Sequence, residues 1–135
     1  MRRGQVALEY IAIIGIALLI STPLIIQAQE SSQSLRDSFQ NGLAKNALNN
    51  IEEAASLVHS QGPPAKTTFT IRLPPGITQT NVTDRYFHIR RDIGAAETDF
   101  YNTVDFNVTG DIPANAGVHT MVAEAENDYV NVTEQ

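Results

Sequence analysis

Arg3-Gly4-Gln5-Val6-Ala7-Leu8-Glu9-Tyr10, running straight into an apolar stretch from Ile11 to Ile26, governs how the rest of this 135-residue chain is read. From Val6 to Ile26 the only charge is Glu9. At the helical rise these residues reach roughly 31 Å, about the thickness of a bilayer's hydrocarbon core. The basic pair Arg2-Arg3 precedes the run, so the positive-inside tendency puts residues 1–4 in the cytoplasm and everything beyond Ile26 outside.

Three fates are open to such a segment: a secretory signal removed whole, a permanent anchor, or a short leader clipped ahead of an apolar helix that is kept. Ile26-Gln27-Ala28 is a loose small-residue cleavage site, but a charge at the head of the apolar core is foreign to a conventional signal peptide. The helical pattern also continues past it. Leu35, Phe39, Leu43, Ala47, Ile51, Ala55 and Val58 recur every three or four residues as one stripe, so a cut after Ala28 would sever a helix in its middle. The third reading fits best.

Arg3-Gly4 followed by Gln5-Val6-Ala7-Leu8-Glu9-Tyr10 resembles the class III signal peptide of archaeal type IV pilins, whose usual pattern is Gln-x-Ser-x-Glu-Tyr with the leader cut just before the Gln. Ala7 stands where the pattern has Ser, and the likeness covers about twenty-five residues. The resemblance implies cleavage between Gly4 and Gln5 by a prepilin peptidase. It also implies insertion of the precursor in the cytoplasmic membrane with its head outside, and handling by an assembly ATPase and its membrane platform. The mature chain would be a structural subunit of an extracellular filament, a helical homopolymer serving adhesion and surface attachment. Gln5, Glu9 and Tyr10, with Pro23 farther along, form the candidate assembly set.

In that family an acidic residue at the position of Glu9 is thought to pair with a neighbouring subunit's new amino terminus and set the register of addition. Glu9 has a simpler alternative in the positive end of its own helix dipole, worth about 0.3–1 kcal/mol. An amino-terminal Gln5 can also cyclise, which would leave no positive charge to meet.

Pro23, after Ser21 and Thr22, removes one helical hydrogen bond and is expected to kink or loosen residues 19–23. The apolar half, 6–26, gives way to an amphipathic half, 27–61, which Gly62-Pro63-Pro64 ends. A continuous helix over 5–61 would measure roughly 85 Å, longer than one small domain needs. Copies of the chain can bury the first half on every side, and the chain's own head domain can bury the stripe of the second.

Residues 65–135 switch to a period of two. Phe69, Ile71 and Leu73 alternate with Thr68, Thr70 and Arg72, and further strands are expected at Arg85–Arg91, Phe100–Thr109, Val118–Glu126 and Tyr129–Thr133. Asn127-Asp128 marks a hairpin and Ala114–Gly117 a loop. The fold class is therefore α+β: a long N-terminal helix packed on a small antiparallel β-sheet or β-sandwich head.

Asn81-Val82-Thr83, Asn107-Val108-Thr109 and Asn131-Val132-Thr133 are three identical acceptor triplets, more than ten Asn and nineteen Ser and Thr would scatter by chance. On a strand each would turn Val inward and its Asn outward, so Asn81, Asn107 and Asn131 are candidate N-glycosylation sites of an exported head. The alternative is that the triplet is simply good strand sequence.

With no Cys there is no disulfide to staple a head this small, which favours assembly. Removing Arg2 and Arg3 from nine basic residues leaves seven against fifteen acidic, a net charge of −8, which argues against a nucleic-acid partner. His59, His88 and His119 lie too far apart in sequence to suggest zinc, and a calcium site built from Asp84, Asp92, Asp99, Asp105 or Asp111 is conceivable but unspecific. Phosphate loops, nucleophile elbows and metalloprotease helices are missing, so neither an enzyme nor a cofactor is expected. Two other roles fit the same sequence: a membrane-anchored extracellular binding domain that never polymerises, and a minor pilin or pseudopilin.

Overall fold

The computed structural model describes residues 2–94 and 96–135, with side chains from residue 4 onward. Met1 and the side chains of Arg2 and Arg3, part of the expected leader, lie outside the described residues. The order of elements is α1 (Arg2–Gln61), β1 (Lys66–Leu73), β2 (Ile77–Thr83), β3 (Tyr86–Asp92), β4 (Glu97–Thr103), β5 (Val108–Gly110), β6 (Gly117–Ala125) and β7 (Val130–Glu134). This is an α+β protein. The chain divides into two compact units, Met1–Asp37 and Ser38–Gln135.

The first unit is helix alone. Its backbone stays helical through Pro23, including the turn expected to loosen at 19–23. Proline cannot donate to the carbonyl four residues back. Around that gap the hydroxyls of Ser21 and Thr22 donate to the carbonyls of Ala17 and Leu18 at 2.7 and 2.8 Å, which keeps short polar side chains occupied inside an apolar run.

In the second unit the C-terminal part of α1 packs on two sheets, a four-stranded one in the order β1-β6-β7-β5 and a three-stranded one in the order β2-β3-β4. All pairs are antiparallel except β5 with β7, so the larger sheet is mixed. The stretch expected as one strand, Phe100–Thr109, is two, divided between the sheets. After Thr103 the chain turns, with the Val104 amide donating to Arg85 O at 2.8 Å and Phe106 stacking on His59. Gly110 ends β5 at φ 135°, where a Cβ would lie 1.8 Å from the Val132 carbonyl oxygen; only glycine fits so close to β7.

One core joins all three layers. The helix contributes Ala47, Leu48, Ile51, Ala54, Ala55 and Val58, the small sheet Val82, Phe87 and Ile89, and the large sheet Ile71, Leu73, Met121, Ala123, Val130 and Val132. Each fully buried large side chain contributes about 1.5–3 kcal/mol. The expected stripe on α1 is correct from Ala47 to Val58, but Leu35 and Phe39 are 71% and 67% exposed, while Ala44 and Leu48 are buried.

Polar side chains tie the small sheet to the same helix. Arg91, 4% exposed, donates from Nε to Pro75 O at 3.0 Å, from Nη1 to Asn41 Oδ1 at 2.8 Å, and from Nη2 to Gln40 Oε1. Asn102 Nδ2 donates to Asn49 Oδ1 and Glu52 Oε2 at 2.9 and 2.7 Å. At the helix end Gly62, with φ 71°, donates to Val58 O at 3.0 Å, the capping role that its sequence position predicts.

The burial pattern separates two otherwise similar helix positions. Ile51→Ala should cost about 2–5 kcal/mol and Phe39→Ala less than about 0.5 kcal/mol. Denaturant unfolding of the detergent-dispersed chain checks this, and equal losses would contradict the packing described.

Candidate functional site

Two surfaces in this chain are unlike an ordinary solvated exterior. The first is the apolar half of α1. All thirteen Val, Leu, Ile and Tyr side chains from Val6 to Ile26 are between 44% and 75% exposed. They point in every direction round the helix, which is long and apolar enough to cross a membrane. Water tolerates contiguous apolar patches of only a few hundred Å² on a monomer, so this surface requires lipid or protein around it.

Gly4, Gln5, Glu9, Tyr10 and Pro23 all lie on this helix. Gln5 and Glu9 are four residues apart and therefore neighbours on one face. A Cβ built on Gly4 meets nothing within 4 Å.

The second surface is the outer face of β2-β3-β4. Antiparallel register aligns its outward side chains in three cross-strand rows: Gln79, Arg90 and Asp99; Asn81, His88 and Tyr101; Thr83, Tyr86 and Thr103. All of them but Thr83 line an open groove of about 520 Å³. Arg90 grips Asp99 with two hydrogen bonds, Nε to Oδ1 at 2.7 Å and Nη2 to Oδ2 at 3.3 Å, and His88 Nε2 donates to the same Oδ1 at 2.8 Å. The Arg90 hydrogen bond, then that of His88, holds the Asp99 carboxyl down at about 2. Asp99 therefore stays ionised across the neutral range, and the network's contribution is lost only as the pH falls through about 2.

Of the candidate acceptors, Asn81 belongs to this face. Thr83 Oγ1 donates to Asn81 Oδ1 at 2.9 Å, and Asn81 Nδ2 donates to the Tyr86 hydroxyl at 3.4 Å. Asn107 is exposed just ahead of β5, and Asn131 is half-buried on β7 between Glu124 and Thr109. Val82, Val108 and Val132 are all buried, so each triplet anchors its Val in the core and offers its Asn outward. The sequence reading gave no role to Tyr86, Arg90 and Tyr101, and weighed His88 and Asp99 only as metal ligands. Polar residues alternate with Phe87, Ile89 and Arg91, but only the pairing of three strands makes them one surface. Among the described residues no three His, Asp or Glu side chains gather as a metal site.

On the other sheet His119 bridges two chain segments: Nδ1 lies 2.7 Å from Glu134 Oε1 and Nε2 2.8 Å from Asn115 O. Both partners accept, so the doubly protonated ring satisfies them together, and the Glu134 hydrogen bond raises the His119 pKa above 6.5 in spite of desolvation. A raised folded value means that this contribution to stability is complete below 6.5 and is lost as the pH rises through the folded value. Thermal unfolding should show the advantage of the parent chain over His119→Gln shrinking as pH rises past neutrality; an advantage that grows with pH would contradict it.

Compared with protein-family models, with curated proteins and with solved structures, the chain matches none.

Proposed function

We propose that this protein is the structural subunit of an archaeal type IV pilus-like surface filament. The observation that carries the reading is the apolar helix exposed on every side, preceded by Arg3-Gly4-Gln5 and carrying Glu9 as its one charge. In this reading the precursor lies in the cytoplasmic membrane with Arg2 and Arg3 inside, a prepilin peptidase cuts before Gln5, and an assembly ATPase with its membrane platform moves the helix from lipid into a bundle of identical helices.

The transfer has a physical logic. Lipid and a bundle of like helices are both apolar surroundings, so moving residues 6–26 between them does not expose them to water. Glu9 gives direction to the exchange. A carboxylate in lipid is costly, by an amount that grows towards the bilayer centre, whereas in the bundle the amino group created at a neighbour's Gln5 offers it an opposite charge. The acidic head stays in solvent and carries glycans at one or more of Asn81, Asn107 and Asn131.

The groove on the outer face of β2-β3-β4 favours a second reading, a membrane-anchored extracellular binding domain that does not polymerise. Filaments sheared from the cell surface and read by mass spectrometry separate the two. The proposal expects this polypeptide within them, beginning at Gln5. It also expects Glu9→Ala to be processed normally but to reduce the filament yield at least ten-fold. A chain that keeps Gly4, or that is found only as a detergent-soluble monomer, would overturn it.

A further inference from the structure

The polar and aromatic face of β2-β3-β4 carries its own potential ligand-attachment point. We propose that this face is the seat of the chain's own N-linked glycan, attached to Asn81 and laid across Tyr86 and Tyr101. The proposal rests on the reading of the head as an exported, glycosylated domain.

Three observations point to a sugar attached at this place. Tyr101, 69% exposed, presents a flat apolar ring beside directional polar groups; a pyranose complements this with an apolar face of C–H bonds and a rim of hydroxyls. Arg90 is held by Asp99 in one bidentate pair and lies 3.9 Å from Glu97, so its charge is compensated by the chain's own carboxylates, which favours an uncharged polar occupant over an anionic one. Asn81 itself belongs to the middle row with His88 and Tyr101. Two inter-strand spacings place Tyr101 about 10 Å from Asn81, the reach of two sugar rings. A first ring then lies beside Tyr86 and over His88, and a second over Tyr101.

The chemistry of attachment preserves the local contacts. Asn81 Nδ2 bonds to the anomeric carbon of a lipid-phosphate-linked oligosaccharide, the carbon–oxygen bond to phosphate breaks, and one amide proton leaves with the phosphate. Nδ2 keeps its other proton for the Tyr86 hydroxyl, 3.4 Å away. Being covalently attached, the glycan occupies the groove at high effective concentration, so weak contacts are sufficient to seat it.

Limited iodination of the full chain, purified from its own cells into detergent and followed residue by residue by mass spectrometry, tests this. Tyr129, 42% exposed and in the turn between β6 and β7 of the other sheet, is the internal reference. The glycosylated chain should modify Tyr101 several-fold more slowly relative to Tyr129 than do Asn81→Gln or enzymatically deglycosylated chain. Equal ratios with Asn81 occupied would overturn the proposal while leaving the glycosylated head intact. An unoccupied Asn81 beside an occupied Asn107 would do the same, and three unoccupied sites would remove both readings. Protection of Tyr101 that appears only in filaments, and equally in Asn81→Gln, would assign the face to a neighbouring copy and also overturn it.

Discussion

Thirteen large apolar side chains set all round one helix cannot be left to water, and the rest of the chain is organised round that fact. A soluble helix shows one apolar stripe because one neighbour covers it. The stretch from Val6 to Ile26 has no polar side to turn outward, so its surroundings must be apolar in every direction. Lipid and copies of the same helix both meet that demand, and the proposed passage from one to the other needs nothing added to the sequence. Glu9 is the charged exception, and in the proposed passage it is the residue that distinguishes the two environments.

The other unit is built to be stable without a disulfide. One layer of helix and two sheets share a single core, and Arg91 and Asn102 fasten the small sheet to α1 through hydrogen bonds to Gln40, Asn41, Asn49 and Glu52. Anchoring both sheets to α1 leaves their outer faces free to evolve as surface. On the smaller sheet that surface is a balanced array of paired charges and tyrosines.

Sequence reading reached the α+β class, the helix end at Gly62 and the hairpin at Asn127-Asp128 because each rests on a local rule. It missed β2, since the register shift between Ile77 and Gln79 breaks the alternation that would have revealed a strand. It joined β4 to β5 for the opposite reason: Phe100, Asn102, Val104, Phe106 and Val108 all turn inward, so the period of two passes unbroken across the turn that changes sheets. Leu35 and Phe39 continue a stripe that the strands cover only farther along. The groove was illegible because its rows draw on three strands, and register, not spacing, brings Asn81, His88 and Tyr101 together.

The central claim, that residues 6–26 exchange lipid for copies of themselves, is tested most directly by helical reconstruction of the surface filaments by cryo-electron microscopy. The account predicts a filament axis built from the apolar helices of neighbouring copies, with Glu9 of one near Gln5 of another and Ser38–Gln135 on the outside. Filaments whose axis is formed by other segments, or lacking this polypeptide, would contradict it.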